Sequence, residues 1–236
     1  MKKNTPSYVG HRYPVEIISH AVWLYFRFTL SFRDIEELLA SRGVIVTYEA
    51  IRQWTLKFGQ DYANTLRRRQ PKRGDKWHPD EVVLTMNGQR HYLWRAVDQD
   101  GYTLDILVQS RRDRNAAKRF FRKLLKGLRH VPRVIVTDQL KSYGAAKREI
   151  MPGVEHRPHQ GLNNRAELSH PPTRQKERQM RRFKSPKQVQ RFLSAHAHIG
   201  NLFRIRHRHT TAADDRVARR QAFETWKETT CAHSVA

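Results

Sequence analysis

The sequence predicts an α/β chain, a mixed sheet flanked by helices, preceded by a small all-α domain of helix-turn-helix type. Three observations carry this. Residues 14–69 place apolar side chains at helical spacing, with capping residues between the segments. Residues 81–109 switch to short apolar and β-branched runs divided by Asn-Gly and Asp-Gly turns. Residues 112–137 then give a basic helix followed by a strand, an order that a right-handed crossover closes into a parallel pair.

Taken in order, "PVEIISHAVWLYFRF" opens with Pro14 at a first-turn position, where a missing N–H is tolerated. "SFRDIEELLASRG" carries Ser31 as N-cap with Asp34 three residues on, a variant of the capping box, and Gly43 as C-cap. "TYEAIRQWTLKFGQDYANTLRRR" starts from Thr47 as cap. Only "GVIV" separates the second and third helices, which is helix-turn-helix spacing. The third helix presents Tyr48, Arg52, Gln53 and Lys57, side chains able to reach base edges or phosphates. An ordinary three-helix bundle would show the same caps and spacing.

"RRRQPKRGDK" is a basic stretch with Pro and Gly, and it marks a boundary. The expected division is residues 1–70 as helical domain, 71–79 as linker, 80–226 as catalytic domain and 227–236 as tail. "EVVLTM" reads as a first strand, Asn87-Gly88 as a hairpin turn, "RHYLWRAV" as its return and "YTLDILVQ" as a third strand. "RDRNAAKRFFRKLLKGLR" is a basic helix with an apolar stripe. "VIVT" (134–137) reads as a strand buried on both faces. "QLKSYGAAKREI" is helical, "VEHR" a short fifth strand, and "NNRAELSH" and "SPKQVQRFLSAHAHIGNLF" further helical segments.

Charge limits the partners. The chain has 236 residues, 46 Lys and Arg against 22 Asp and Glu, and a formal net charge of +24. That excess points to a polyanion. A membrane surface is the poorer choice, because neither end offers a basic amphipathic segment and "IISHAVWLYF" is too short and polar to span a bilayer. Nothing at the start has the apolar core of a signal peptide. The single cysteine, Cys231, excludes a disulfide framework and suits a reducing cytoplasm. His156 with His159, and His207 with His209, lack carboxylate or thiolate partners at zinc spacing. The five tryptophans read as core or domain-contact residues.

Against that positive background the strand 134–137 ends in a carboxylate, Asp138, and Asp80 stands just before the first strand. If the two strands are neighbours, the carboxylates meet at one end of the sheet. Ligands of open α/β sheets bind beyond strand carboxyl ends. Two close carboxylates repel unless a cation lies between them, and hard divalent ions take oxygen ligands. Such ions can activate the attacking oxygen and stabilise the leaving oxygen of a phosphodiester. An aspartate capping a following helix is the plainer reading of the same pattern.

The stretches "WHPDEV", "YLWRAVDQDGYTLDILVQSRRDRNAAKRFF", "IVTDQLKSYGAA", "GVEHR", "GLNNRAELSH", "ERQMRRFKS" and "QRFLSAH", with "TLSFRDIEELLASRGV" near the start, resemble the DDE transposases of bacterial insertion sequences, specifically the insertion-sequence-6 family. The resemblance runs over residues 7 to 226. It implies an RNase H-like core in which two aspartates and a glutamate bind two divalent ions, Mg2+ or Mn2+. By motif these are Asp80, Asp138 and Glu167, with Arg174 as the basic residue seven positions after the glutamate.

It also implies strand cleavage at the element's ends and strand transfer into target DNA, by a dimer acting on terminal inverted repeats in the cytoplasm, with no membrane partner. Arg174, Arg178, Arg181 and Arg182 then read as phosphate contacts rather than a solvated face. Two departures stand out. Glu167 comes only 29 positions after Asp138, a shorter connection than the family's, and Pro171-Pro172 interrupts any regular helix before Arg174. Glu149, Glu155 and Glu177 are rival third carboxylates, and Asp98 is a reserve. A non-catalytic DNA-binding regulator and a structure-specific nuclease are the alternative classes. The first has no use for three converging carboxylates, and the second none for the helical front.

Overall fold

The computed structural model describes residues 6–69, 74–138, 140–159, 171–179, 183–204 and 211–232. It divides into two compact units, one of residues 1–70 with 195–236, the other of 71–194. The first therefore takes in the C-terminal helix, which the sequence placed with the catalytic domain and a tail.

In the first unit α1 (Val15–Arg27), α2 (Phe32–Ala40) and α3 (Tyr48–Arg69) form where expected. The Ser31–Asp34 capping box is complete: Asp34 N–H donates to Ser31 Oγ at 3.1 Å, and Ser31 N–H to Asp34 Oδ2 at 2.7 Å. Thr47 Oγ1 accepts from Ala50 N–H at 3.3 Å. Gly43 adopts φ +77, which lets the chain turn after α2 without strain. The long α3 buries Ile51, Trp54, Phe58, Tyr62 and Leu66 along one stripe. Gly59 lies on that stripe because a Cβ there would come within 2.5 Å of the Phe26 ring of α1.

The second half of α7 (Pro186–Leu202) and α8 (Ala212–Thr230) complete this core. Trp226 meets Tyr62 edge-on at 5.3 Å, Phe203 and Phe223 pack on Trp23, and Tyr8 Oη reaches both Tyr62 Oη and the Thr230 carbonyl at 2.6 Å. The apolar stripe of α3 is wider than α1 and α2 cover, so a helix distant in sequence closes it. Hydropathy patterning missed α8, because its apolar positions are few and its exposed face is strongly charged.

The second unit holds one five-stranded sheet in the order β3-β2-β1-β4-β5. Strands β1 (Lys76–Met86), β2 (Gln89–Asp98) and β3 (Thr103–Gln109) form the antiparallel meander, while β4 (Val134–Thr137) and β5 (Glu155–Pro158) run parallel to β1. This is the RNase H-like arrangement. Asn87 (φ 49) and Gly88 (φ 76) make the two-residue hairpin turn.

β1 starts at Lys76, five residues before the expected start, so 76–79 are strand rather than linker. Pro79 is tolerated in this central strand because the β1–β4 ladder is made at Lys76 and Trp77, before the proline removes its N–H. Helix α4 (Arg114–Leu128), capped by Asp113 Oδ1 at 2.8 Å from Ala116 N–H, makes the crossover to β4, and α5 (Lys141–Ile150) the crossover to β5. Both pack on a core of Trp77, Trp94, Leu104, Phe120, Phe121, Ile135 and Tyr143. On the β3 edge, Gln190 of α7 takes the place of a further strand: its Oε1 accepts from Val108 N–H at 2.8 Å. Helix α6 (Pro171–Gln179) begins at the proline pair, so the prolines start it rather than interrupt it. Among the described residues no helix is long and apolar enough to cross a membrane.

Burial holds both His20 and His156 below the ordinary imidazole range, helped by Arg42 beside the first and by Lys147 and Arg148 beside the second. Such a group stays neutral when folded but takes up a proton once unfolded, so stability is lost as pH falls below ~6.5. Thermal melts at high salt are expected to shift down as pH is lowered from neutral, and His156→Gln to flatten part of that slope. A slope unchanged in the variant would remove His156 as a contributor.

Candidate active site

The site is built where β1 and β4 lie side by side. The parallel ladder pairs Lys76 with Val134 and Trp77 with Ile135. The same offset of 58 positions sets Asp80 level with Asp138, just where β4 ends. Asp80 is thus mid-strand in β1, not before it. Its Oδ1 accepts from Glu81 N–H at 2.9 Å, which folds the carboxylate along the strand. Asp138 does cap the turn into α5, its Oδ1 accepting from Leu140 N–H at 3.1 Å, but it also faces Asp80.

Carboxylate oxygens of Asp80, Glu81 and Asp138 lie within 4.8 Å of one another. An all-oxygen group at that spacing suits a hard divalent cation.

Glu81 is the member sequence reasoning missed. Its side chain is 2% exposed. Arg112 Nε donates to Glu81 Oε1 at 2.6 Å, with Arg112 Nη2 against the same oxygen, and Tyr143 Oη donates to Oε2 at 2.6 Å. Arg112 Nη2 also lies 3.9 Å from Asp138 Oδ2. Burial pushes the Glu81 carboxyl up from the ordinary range, against the pull of Tyr143 and Arg112. Donors meet both its oxygens, which is the environment of a carboxylate rather than a carboxylic acid. Burial likewise drives the Tyr143 hydroxyl well up, with the Glu81 charge adding to it. Adjacency to Asp80 in "PDEV" was the available sign, but the partners come from 31 and 62 positions away.

Glu167, Arg181 and Arg182 lie outside the described residues. The three rival glutamates are engaged elsewhere. Glu149 of α5 pairs with Arg114 at 2.7 Å and with Lys118, which hold it below the ordinary carboxylate range. Glu155 is paired with Arg157 at 2.6 Å and Glu177 with Arg174 at 2.9 Å. Asp98 is buried in its own turn, accepting from the N–H groups of Asp100 and Tyr102 at 3.0 and 2.9 Å. Arg178 is exposed on α6.

On α3 of the first unit, Tyr48, Gln53 and Lys57 are exposed and Arg52 partly so. Arg52 Nη2 and Gln53 Nε2 both donate to Glu49 Oε1 at 2.7 Å, and Lys57 Nζ lies 2.8 Å from His11 Nε2. Arg33 stacks over the Tyr48 ring at 4.8 Å.

Two aspartates brought together where neighbouring parallel strands of an RNase H-like sheet meet suit a metal-dependent polynucleotidyl transferase. Residues 74–206 match the family described as DDE domain. The transposase for insertion sequence-like element IS431mec of Staphylococcus aureus is 32% identical over 160 residues, 66% of this chain and 71% of that protein. The transposase for element IS257 in transposon Tn4003 of Staphylococcus aureus matches to the same extent. An uncharacterized protein of Yersinia pseudotuberculosis is 35% identical over 77 residues, 32% of this chain and 72% of that one. A simian T-cell lymphotropic virus intasome in complex with PP2A regulatory subunit B56 gamma aligns with a TM-score of 0.42 at 13% identity, over 54% of this chain and 49% of that one. The chain belongs to the DDE transposases of the insertion-sequence-6 family.

Proposed function

We propose that the chain cuts DNA at the terminal inverted repeats of its insertion sequence and joins the freed 3′ ends to target DNA, with Asp80, Asp138 and Glu167 as metal ligands. The observation that carries this is the level placement of Asp80 and Asp138 across the β1–β4 pair. Two Mg2+ or Mn2+ ions would supply Lewis acidity to the attacking and leaving oxygens. The protein's part is to fix that geometry. The parallel pair holds two carboxylates at one height, Glu167 completes the set, and the surrounding positive charge binds the phosphates.

Cleavage and transfer are both in-line displacements at phosphorus, so one carboxylate set serves both. Helices of residues 1–70 read the repeat through Tyr48, Arg52, Gln53 and Lys57. Arg174, Arg178, Arg181 and Arg182 contact the backbone near the cut, and the protein acts as a dimer in the cytoplasm. A cleavage assay on a repeat-bearing duplex tests this. Magnesium or manganese should support cutting, and calcium should support binding without cutting. Cutting in chelator would contradict it.

Binding should carry two further signatures. The logarithm of the binding constant is expected to fall with the logarithm of salt by about 0.9 per phosphate contacted. A flat dependence would remove DNA as the main partner of the excess charge. Arg52→Ala with Gln53→Ala is expected to weaken repeat binding over random DNA by about 1–3 kcal/mol per lost base contact. Equal loss on both duplexes would leave these side chains as phosphate contacts only, still tied to Glu49.

A further inference from the structure

Among the described residues three carboxylates meet at the site, and two of these are placed to receive an ion. Asp80 and Asp138 are the level pair, and each accepts from a backbone N–H. Glu81 is different. It follows Asp80 on the strand, and one of its oxygens lies within 4.8 Å of those of the pair. Its carboxylate is buried, and three donor contacts from Arg112 and Tyr143 already fill it. Tyr143 is itself fully buried in the sheet core beside Trp94 and Phe121, so Glu81 cannot turn toward an ion without leaving a buried hydroxyl unpaired. Arg112, by contrast, is 43% exposed, and its Nη2 stands 3.9 Å from Asp138.

A guanidinium this near a cation site repels the ion that the aspartates attract. It is tolerable only with a counter-charge of its own. We propose that Glu81 is a positioning residue and not a metal ligand: it neutralises Arg112 and holds that guanidinium at the edge of the Asp80–Asp138 pair, so that the two residues together set how tightly the pair binds a divalent cation. This rests on the metal-binding reading of Asp80 and Asp138 above. It gives the chain one cation fixed beside the site whatever the metal load, on the side open to solvent, where a phosphodiester would approach.

The test is Mn2+ binding to the full-length protein without DNA, monitored by the paramagnetic resonance signal of the free ion. Glu81→Gln keeps the shape and can still accept from Tyr143, but it leaves Arg112 uncompensated. It should weaken Mn2+ by on the order of tenfold, the effect of one nearby unit charge at a part-exposed site. Arg112→Gln should tighten Mn2+ by a similar factor. The double variant should return to within about twofold of the native protein, because the two charges cancel.

Asp80→Asn should abolish binding. If Glu81→Gln is as damaging as Asp80→Asn and Arg112→Gln does not relieve it, Glu81 is a ligand and the inference is wrong. If neither Glu81→Gln nor Arg112→Gln moves the midpoint, the pair is only packing and the inference is equally wrong. If instead Asp80→Asn binds Mn2+ like the native protein, the failure lies in the metal-site reading itself. Arg112 is on an exposed connection, so its variant does not threaten folding, and tightening in that variant must appear even if Glu81→Gln proves unstable.

Discussion

Asp138→Asn is expected to reduce strand cleavage and strand transfer by about a thousandfold or more, while binding to the terminal repeat stays within about twofold, because residues acting as one catalytic unit fail together. A thousandfold corresponds to about 4 kcal/mol of lost transition-state stabilisation. Asn keeps the size and can still cap Leu140 N–H through its carbonyl oxygen, so the turn into α5 survives. What goes is the charge opposite Asp80. Asp80→Asn should do the same, and the double variant should be no worse than either alone. Additive losses would show two independent groups rather than one site. Cleavage and gel-shift assays on the same duplex read both quantities.

Trp94→Ala is expected to destabilise the sheet unit by about 3–5 kcal/mol, the range for removing a large buried aromatic. Trp94 is fully buried on β2, edge-on to Tyr143 at 5.4 Å and tilted against Phe120 at 6.1 Å. In register it lies opposite Glu81, so the cavity would open beneath the Tyr143–Glu81 contact and disturb the site as well as the core. Trp94→Phe should be far milder. The indole Nε1 is buried with no hydrogen-bond partner among the described residues, so losing that N–H removes an unsatisfied donor. Denaturant melts of the two variants decide it. Equal losses would show that the indole itself is needed, and a mild Ala variant would show that the core repacks.

Much of the fold was legible because its signals are local. The Ser31–Asp34 box, the Asn87-Gly88 hairpin and the "VIVT" run before Asp138 each depend on a few adjacent residues, and each formed as read. The meeting of Asp80 and Asp138 was only half within reach: with β1 read from residue 81 the two would stand at opposite ends of a parallel pair, and it is the five earlier residues of β1 that bring them level.

The misread features were either non-local or turned on proline. Glu81 gains its role from Arg112 and Tyr143, which reach it from the β3–α4 connection and from α5. The docking of α8 on α1 and α3 depends on how wide a stripe the first helices leave uncovered. Pro171-Pro172 looked like a helix breaker, but the pair falls at the opening turn of α6, where a missing N–H costs nothing.

We propose that Asp80, Asp138 and Glu167 form one metal-dependent cutting site. The most direct measurement is cleavage of a repeat-bearing duplex in Mn2+ by Glu167→Gln, beside Glu149→Gln, Glu155→Gln and Glu177→Gln. Glu167→Gln should be inactive, with the loss seen for Asp138→Asn, because it removes a ligand. The other three should cut at close to the native rate, because their carboxylates serve ion pairs with Lys118, Arg157 and Arg174. If Glu167→Gln still cuts while one of the others does not, the third ligand is misassigned. If all four cut, Asp80 and Asp138 work without a glutamate partner, and the claim of a three-carboxylate site is contradicted.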